Sequence, residues 1–271
     1  MSAKTTIHPL DATVRLENSG KDQYQGQIHP AYANMVGPFG GVIGATLLNA
    51  VLSHPALLGE PLSQTVHYAA PISNGGFQIH ARPLRTNRTT QHWLVELEQD
   101  EQIAAFATIV TAVRRDTWSA TDAAFPPAPA PADIPAATPI PAVAWTNNYE
   151  MRFIEGELDI TKPVSESSHS KLWIRDQPER PLDFLSLSAI CDAFFPRIFV
   201  RRPKWVAVGT VALTTYFHAD AHQLSAVGTR PVLGSAKALH FGKGFFDQSA
   251  EIWSPDGDLL AATHQVVYFK E

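Results

Sequence analysis

The sequence predicts an α+β protein of two tandem units, each a buried helix followed by an antiparallel meander of strands. Three observations lead there. Residues 119–143 contain nine Ala and seven Pro. Proline fixes φ and lacks the N–H that a helix or a sheet ladder needs, so this stretch reads as a semi-extended linker between units 1–118 and 144–271. On each side of it stands one run with helical spacing and apolar residues over most of its surface. After each such run come strand-length segments punctuated by turn residues.

In the first unit the helix is expected over residues 41–54, with Val42, Ile43, Ala45, Leu47, Leu48, Val51 and Leu52 as its apolar positions. A helix apolar on several sides is buried on several sides. Strands are expected over 62–70, 76–85, 91–100 and 102–114, and the alternation through His92-Trp93-Leu94-Val95-Glu96-Leu97-Glu98 is that of a half-buried strand. In the second unit the helix is expected over 183–196, carried by Phe184, Leu185, Leu187, Ile190, Cys191, Phe194 and Phe195 and ended by Pro196. Strands follow over 205–218, 232–241, 248–254 and 259–270. Thr65-Val66-His67-Tyr68 occupies the place in the first unit that Thr214-Thr215-Tyr216-Phe217 occupies in the second, so the two units read as an internal repeat, expected to pair side by side.

Composition narrows the function. The 271 residues are 45% hydrophobic and 10% aromatic, enough for a real core, and only 17% are charged. The formal charge of −5 lacks the basic excess of a nucleic-acid binder, and no nucleic-acid partner is expected. Cys191 is the sole cysteine, which excludes an intrachain disulfide and a cysteine-built metal site. No apolar run follows Lys4, and the longest, residues 40–52, is too short for a membrane span. A soluble, cytoplasmic protein is expected. His218 and His222 stand four apart, but the segment follows a strand and precedes a loop, and without H-E-x-x-H the pair does not read as a zinc site. No G-x-S-x-G or P-loop is present. No metal and no cofactor is expected.

Pro38-Phe39-Gly40-Gly41-Val42-Ile43-Gly44, the buried helix behind it, the Pro71 turn and meander, and the terminal Asp256-Gly257-Asp258-Leu259-Leu260-Ala261-Ala262-Thr263-His264-Gln265 together resemble the acyl-CoA thioesterase II family of the thioesterase-like superfamily. That resemblance implies two tandem hotdog domains, each a long helix wrapped by a curved antiparallel sheet. It implies hydrolysis of an acyl-CoA by an activated water, with the acyl chain in an apolar tunnel. Hotdog proteins commonly self-associate, so a homo-oligomer is expected. The family's polar trio is an Asp in the second-half helix, a Thr or Ser in the following meander and a Gln in the last strand. Carried across, the Asp falls on Asp192 and the Gln on Gln265, while the hydroxyl position falls on Leu239 with His240 beside it.

Asp192 lies among Ile190, Cys191, Ala193, Phe194 and Phe195. A carboxylate in such company is costly unless paired or at work, and burial lifts its pKa toward that of a usable base. The bland alternative is a solvent-facing helix side. Gln265, on a strand of apolar alternation, either holds a water, or belongs to a solvated strand face, or is buried and bonded to backbone. His240 is a water binder or base if it replaces the missing hydroxyl, and otherwise a surface or packed histidine. Gly40 and Gly41 either offer backbone donors to a thioester oxyanion or a CoA group, or allow close packing of helix on sheet. Arg201-Arg202-Pro203-Lys204 is a basic cluster that either attracts CoA phosphates or is solvated. Two other functions stay open. A non-catalytic acyl-CoA or acyl-carrier binder is suggested by Leu239 in the hydroxyl position. An enoyl-thioester hydratase on the same fold would need a paired acid and His.

Overall fold

The computed structural model describes residues 7–159, 161 and 163–271. The first half contains α1 (Pro9–Thr13), β1 (Glu17–Gly20), β2 (Gln23–Gln27), α2 (Gly40–Leu52), β3 (Glu60–Tyr68), β4 (Gly76–Thr86), β5 (Thr90–Gln99) and β6 (Gln102–Ala112). The second contains β7 (Tyr149–Glu155), β8 (Ser170–Asp176), α3 (Phe184–Ile190), α4 (Arg197–Arg201), β9 (Ala207–Phe217), α5 (Ala221–Val227), β10 (Val232–Lys237), β11 (Phe241–Gly242), β12 (Phe245–Trp253) and β13 (Leu259–Lys270). Every meander strand lies within a few residues of its expected place.

All the strands form one antiparallel sheet, in the order β1-β2-β4-β5-β6-β3-β9-β13-β12-β10-β8-β7, with β11 on β12. Read outward from the centre, each half repeats the other: β3 matches β9, β6 matches β13, β5 matches β12, and so on to the edges. The halves join where β3 pairs β9, with Thr65 opposite Thr214. These are the two residues that the sequence repeat equates, so the pseudo-two-fold passes between them, and their hydroxyls lie 3.0 Å apart.

The sheet curls around α2 and α3, which pack on each other. In α2, residues from Gly41 to Val51 are buried apart from Asn49, as the all-round apolar pattern requires. Buried Gln64 of β3 ties the two helices together: its Nε2 donates to the Gly44 carbonyl (2.8 Å), and its Oε1 accepts from the Ser188 hydroxyl (3.0 Å). The 119–143 segment is extended, as expected, but it is docked. Phe125 meets Trp253 edge-on, the indole of Trp173 donates to the Pro129 carbonyl, and the Ala137 N–H donates to Met151.

Two expectations are corrected. The second helix does not run over 183–196. It starts at its Asp183 cap and ends at Ile190, and the Asp192 and Ala193 N–H groups close tighter bonds to the carbonyls three residues back. The chain then extends into Phe195-Pro196, where proline disfavours a helical preceding residue, and α4 starts afresh. Asp192 therefore sits in the turn after the helix. Likewise the 218–222 segment is not a strand end running into a loop. Asp220 and Gln223 form a reciprocal capping box that starts α5 at Ala221.

Candidate active site

Asp192 and Gln265 meet. The Asp192 carboxyl accepts hydrogen bonds from the Gln265 side chain and from the Gly41 N–H. The amide is oriented by its other end, because the Thr210 hydroxyl donates to Gln265 Oε1 at 3.1 Å. An oxygen that receives a hydroxyl proton fixes Nε2 as the end turned to the acid. Thr210 and Gln265 are neighbours because β9 bulges beside β13: Val266 pairs Ala212 while Val267 pairs Thr210. The bulge re-aims the hydroxyl toward the inner face.

The acid is held from the first half. Tyr68 of β3 donates to the Gly40 carbonyl at 2.8 Å. A Cβ on Gly40 would stand 2.7 Å from Asp192 Oδ2, and one on Gly41 would stand 2.5 Å from the Ala189 carbonyl and 2.6 Å from the Phe39 ring. Both glycines are thus required by close approach. Burial pushes the Asp192 carboxyl up to about 7, against the lowering effect of the Gln265 and Gly41 hydrogen bonds. Burial, with the charge of Asp192 added, also lifts the Tyr68 phenol well above its usual range, so it stays a neutral donor.

An aromatic wall flanks the acid. Phe39, next to Gly40, stacks on Trp145 with ring centroids 4.4 Å apart, and Trp145 and Phe153 both pack on Phe195, three residues after Asp192. A small cavity of about 50 Å³ opens against this wall, lined among others by Ile140, Tyr149, Met151, Phe153, Leu158 and Phe195. Ile140 belongs to the docked linker, which roofs the cavity.

The remaining expectations fall elsewhere. Leu239 is 73% exposed, in the loop after β10. His240, also exposed, stands beside it, and both backbone N–H groups bond Asp247. Neither is among the groups that act on the Asp192 carboxyl, which are Gln265 and Gly41. The hydroxyl in contact with the amide is that of Thr210, 29 residues nearer the N-terminus than position 239. The Gly41 N–H, which the sequence reading offered to a thioester oxyanion or a CoA group, faces the Asp192 carboxyl. A second acid, Asp176, is fully buried and went unnoticed in the sequence. It accepts the Ser186 hydroxyl, and burial raises it to about 6.

The pseudo-two-fold defines an equivalent second position. Matching the helix caps Phe39 and Asp183 places Phe184 at Gly40 and Leu48 at Asp192, and matching the strand pairs places Ile109 at Gln265 and Phe217 at Tyr68. Leu48 and Ile109 are fully buried, and Phe184 meets Phe217 edge-on at 5.7 Å. That position is apolar and filled.

Residues 120–269 match the model of the acyl-CoA thioesterase C-terminal domain, and residues 29–113 match that of the N-terminal domain. The chain belongs to the acyl-CoA thioesterase family. Among solved structures, it is similar to a conserved hotdog-fold protein of unknown function from Alicyclobacillus acidocaldarius (44% identity, 98% of this chain and 99% of the other, TM-score 0.94). The fold is shared with the tesB protein of Mycobacterium avium subs paratuberculosis (20%, 97% and 98%, TM-score 0.78). It is also shared with the acyl-CoA thioesterase II TesB2 of Mycobacterium marinum (16%, 96% and 98%, TM-score 0.78). Among curated proteins none matches. The double-hotdog architecture expected of the family is the one observed, and among the described residues no helix is long and apolar enough to cross a membrane.

Two predictions follow from this geometry. Gly41→Ala forces its Cβ onto the Ala189 carbonyl, and overpacking of this kind costs about 1–3 kcal/mol; urea unfolding at pH 5, where Asp192 is largely protonated, measures it free of charge effects. The second concerns pH. The Asp192 carboxyl titrates near 7 folded and near 3.8 unfolded, so the folded state binds the proton more tightly and loses relative stability as pH rises from about 4 through 7. Asp192→Asn removes this contribution. Its melting temperature relative to wild type should therefore rise between pH 5 and pH 8, and a constant difference would refute the buried, raised acid.

Proposed function

We propose that the protein hydrolyses acyl-CoA thioesters, with Asp192 as the base that activates water. The observation that carries this reading is the half-buried Asp192, its carboxyl facing the Gln265 amide and the Gly41 N–H, with Thr210 fixing the amide. A carboxyl near 7 is partly ionised at neutral pH and matched to proton transfer there. Ionised Asp192 takes a proton from a water held beside Gln265. The water oxygen attacks the thioester carbonyl carbon, and the carbonyl electron pair moves to oxygen. Collapse of the tetrahedral intermediate breaks the C–S bond, and the CoA thiolate leaves with the proton that Asp192 had taken. The products are a carboxylic acid and free CoA. We assign Gly40 and Gly41 to holding the acid rather than the substrate, and we give His240 no part in this step.

With Thr210 against Gln265, the absent hydroxyl at position 239 no longer favours a non-catalytic binder. The hydratase reading lacks its histidine: the groups hydrogen-bonded to Asp192 are Gln265 and Gly41.

A free-thiol assay over a series of acyl-CoA esters tests the reading. Asp192→Asn should lower kcat/KM by about 100-fold or more. Thr210→Val, which frees the amide to turn, should lower it by about ten-fold, the equivalent of one oriented hydrogen bond. Wild-type kcat/KM should rise with pH through about 7 and then level off, as the base form fills. Full activity in Asp192→Asn refutes the mechanism, and no turnover of any ester refutes the function.

The acyl group is assigned to the cavity under Ile140, whose 50 Å³ fits a short chain. Wild type should favour esters of a few carbons, and Ile140→Ala should move the optimum to longer chains. An unchanged profile would place the acyl group elsewhere.

A further inference from the structure

The acid and the amide leave the site on two elements that end at one surface groove. Beyond Asp192 the chain passes Pro196 into α4, which ends at Arg201. Beyond Gln265, Val267 and Phe269 follow on the same face of β13. The groove holds about 720 Å³, and Arg201, Lys237, Leu239, His240, Phe241 and Phe269 are among its lining residues. Among the described residues Glu166 is the one acidic side chain in that lining, and Arg202 is already paired with Glu271. Arg201 and Lys237 make no ion pair or side-chain hydrogen bond among the described residues. A chain of net charge −5 thus presents unmatched cations at one place. Beside them is apolar surface: Leu239 is 73% exposed, and Phe241, stacked on Phe246, and Phe269 are only partly covered.

Unmatched cations next to a flat apolar wall suit a ligand that joins phosphates to an aromatic ring. We propose that this groove binds the phosphorylated adenosine end of the CoA substrate, its phosphates on Arg201, Lys237 and His240 and its base against Leu239, Phe241 and Phe269. The proposal rests on the acyl-CoA reading above. The spacing agrees with it. Four residues of β13 separate Gln265 from Phe269, about 13 Å at the rise of a strand, a span the long pantetheine arm of CoA can bridge. The loop of Leu239 and His240, which the site does not use, thereby gains a role.

The test separates this proposal from the reading it rests on. Three thioesters with one acyl group are compared: the CoA ester, its 3′-dephospho analogue and the N-acetylcysteamine ester, which has no nucleotide. For wild type, KM should rise in that order with kcat little changed. Lys237→Glu, at an exposed position, should raise KM for the CoA ester by ten-fold or more and leave the N-acetylcysteamine ester untouched; that ester also reports an intact fold. Arg201→Gln serves as the second variant. Unchanged KM for the CoA ester in both variants overturns the groove. Calorimetric binding of adenosine 3′,5′-bisphosphate tests the groove without turnover: binding by wild type and its loss in Lys237→Glu support it even if no ester is cleaved. Binding of inorganic phosphate or phosphatidylserine vesicles with none of the bisphosphate overturns it.

Discussion

A carboxyl group can be withdrawn from water here only because the opposing backbone carries no Cβ atoms. Gly40 and Gly41 let the start of α2 come against Asp192 and the end of α3, and the Gly41 N–H reaches the acid through that gap. The remaining features support this contact. Tyr68 holds the Gly40 carbonyl, Gln64 ties α2 to α3 through Gly44 and Ser188, and Thr210 turns the Gln265 amide the right way. Desolvation outweighs the two hydrogen bonds, which is why the acid lies near 7 rather than in the usual carboxylate range.

Much of this was legible in the sequence. Side-chain alternation and turn residues located the meander strands, because a half-buried strand shows its period directly. The repeat equating Thr65 with Thr214 gave the residues on the central dyad. Asp192 and Gln265 stood out as polar groups in apolar company.

What escaped is equally physical. The end of α3 depends on local tightening before Phe195-Pro196, and apolar continuity through Phe194 and Phe195 hides it. The start of α5 was signalled by Asp220 and Gln223, a capping pair that the two flanking histidines obscured. Thr210 was missed because its inward aim comes from a bulge in β9, and strict alternation cannot foresee a bulge. Asp176 was missed because its burial comes from contacts across the fold.

The filled position at Phe184, Leu48 and Ile109 shows how far the duplicated halves have diverged. A symmetric pair would carry two sites, each borrowing a turn from one copy and an acid from the other. In this chain one copy has kept the glycine turn and the other the acid and amide, so the division of labour is complete. Neither copy expressed alone, even paired with itself, would regenerate the polar cluster. The polar cluster therefore forms only where the two unlike halves meet, the glycine turn of one against the acid of the other.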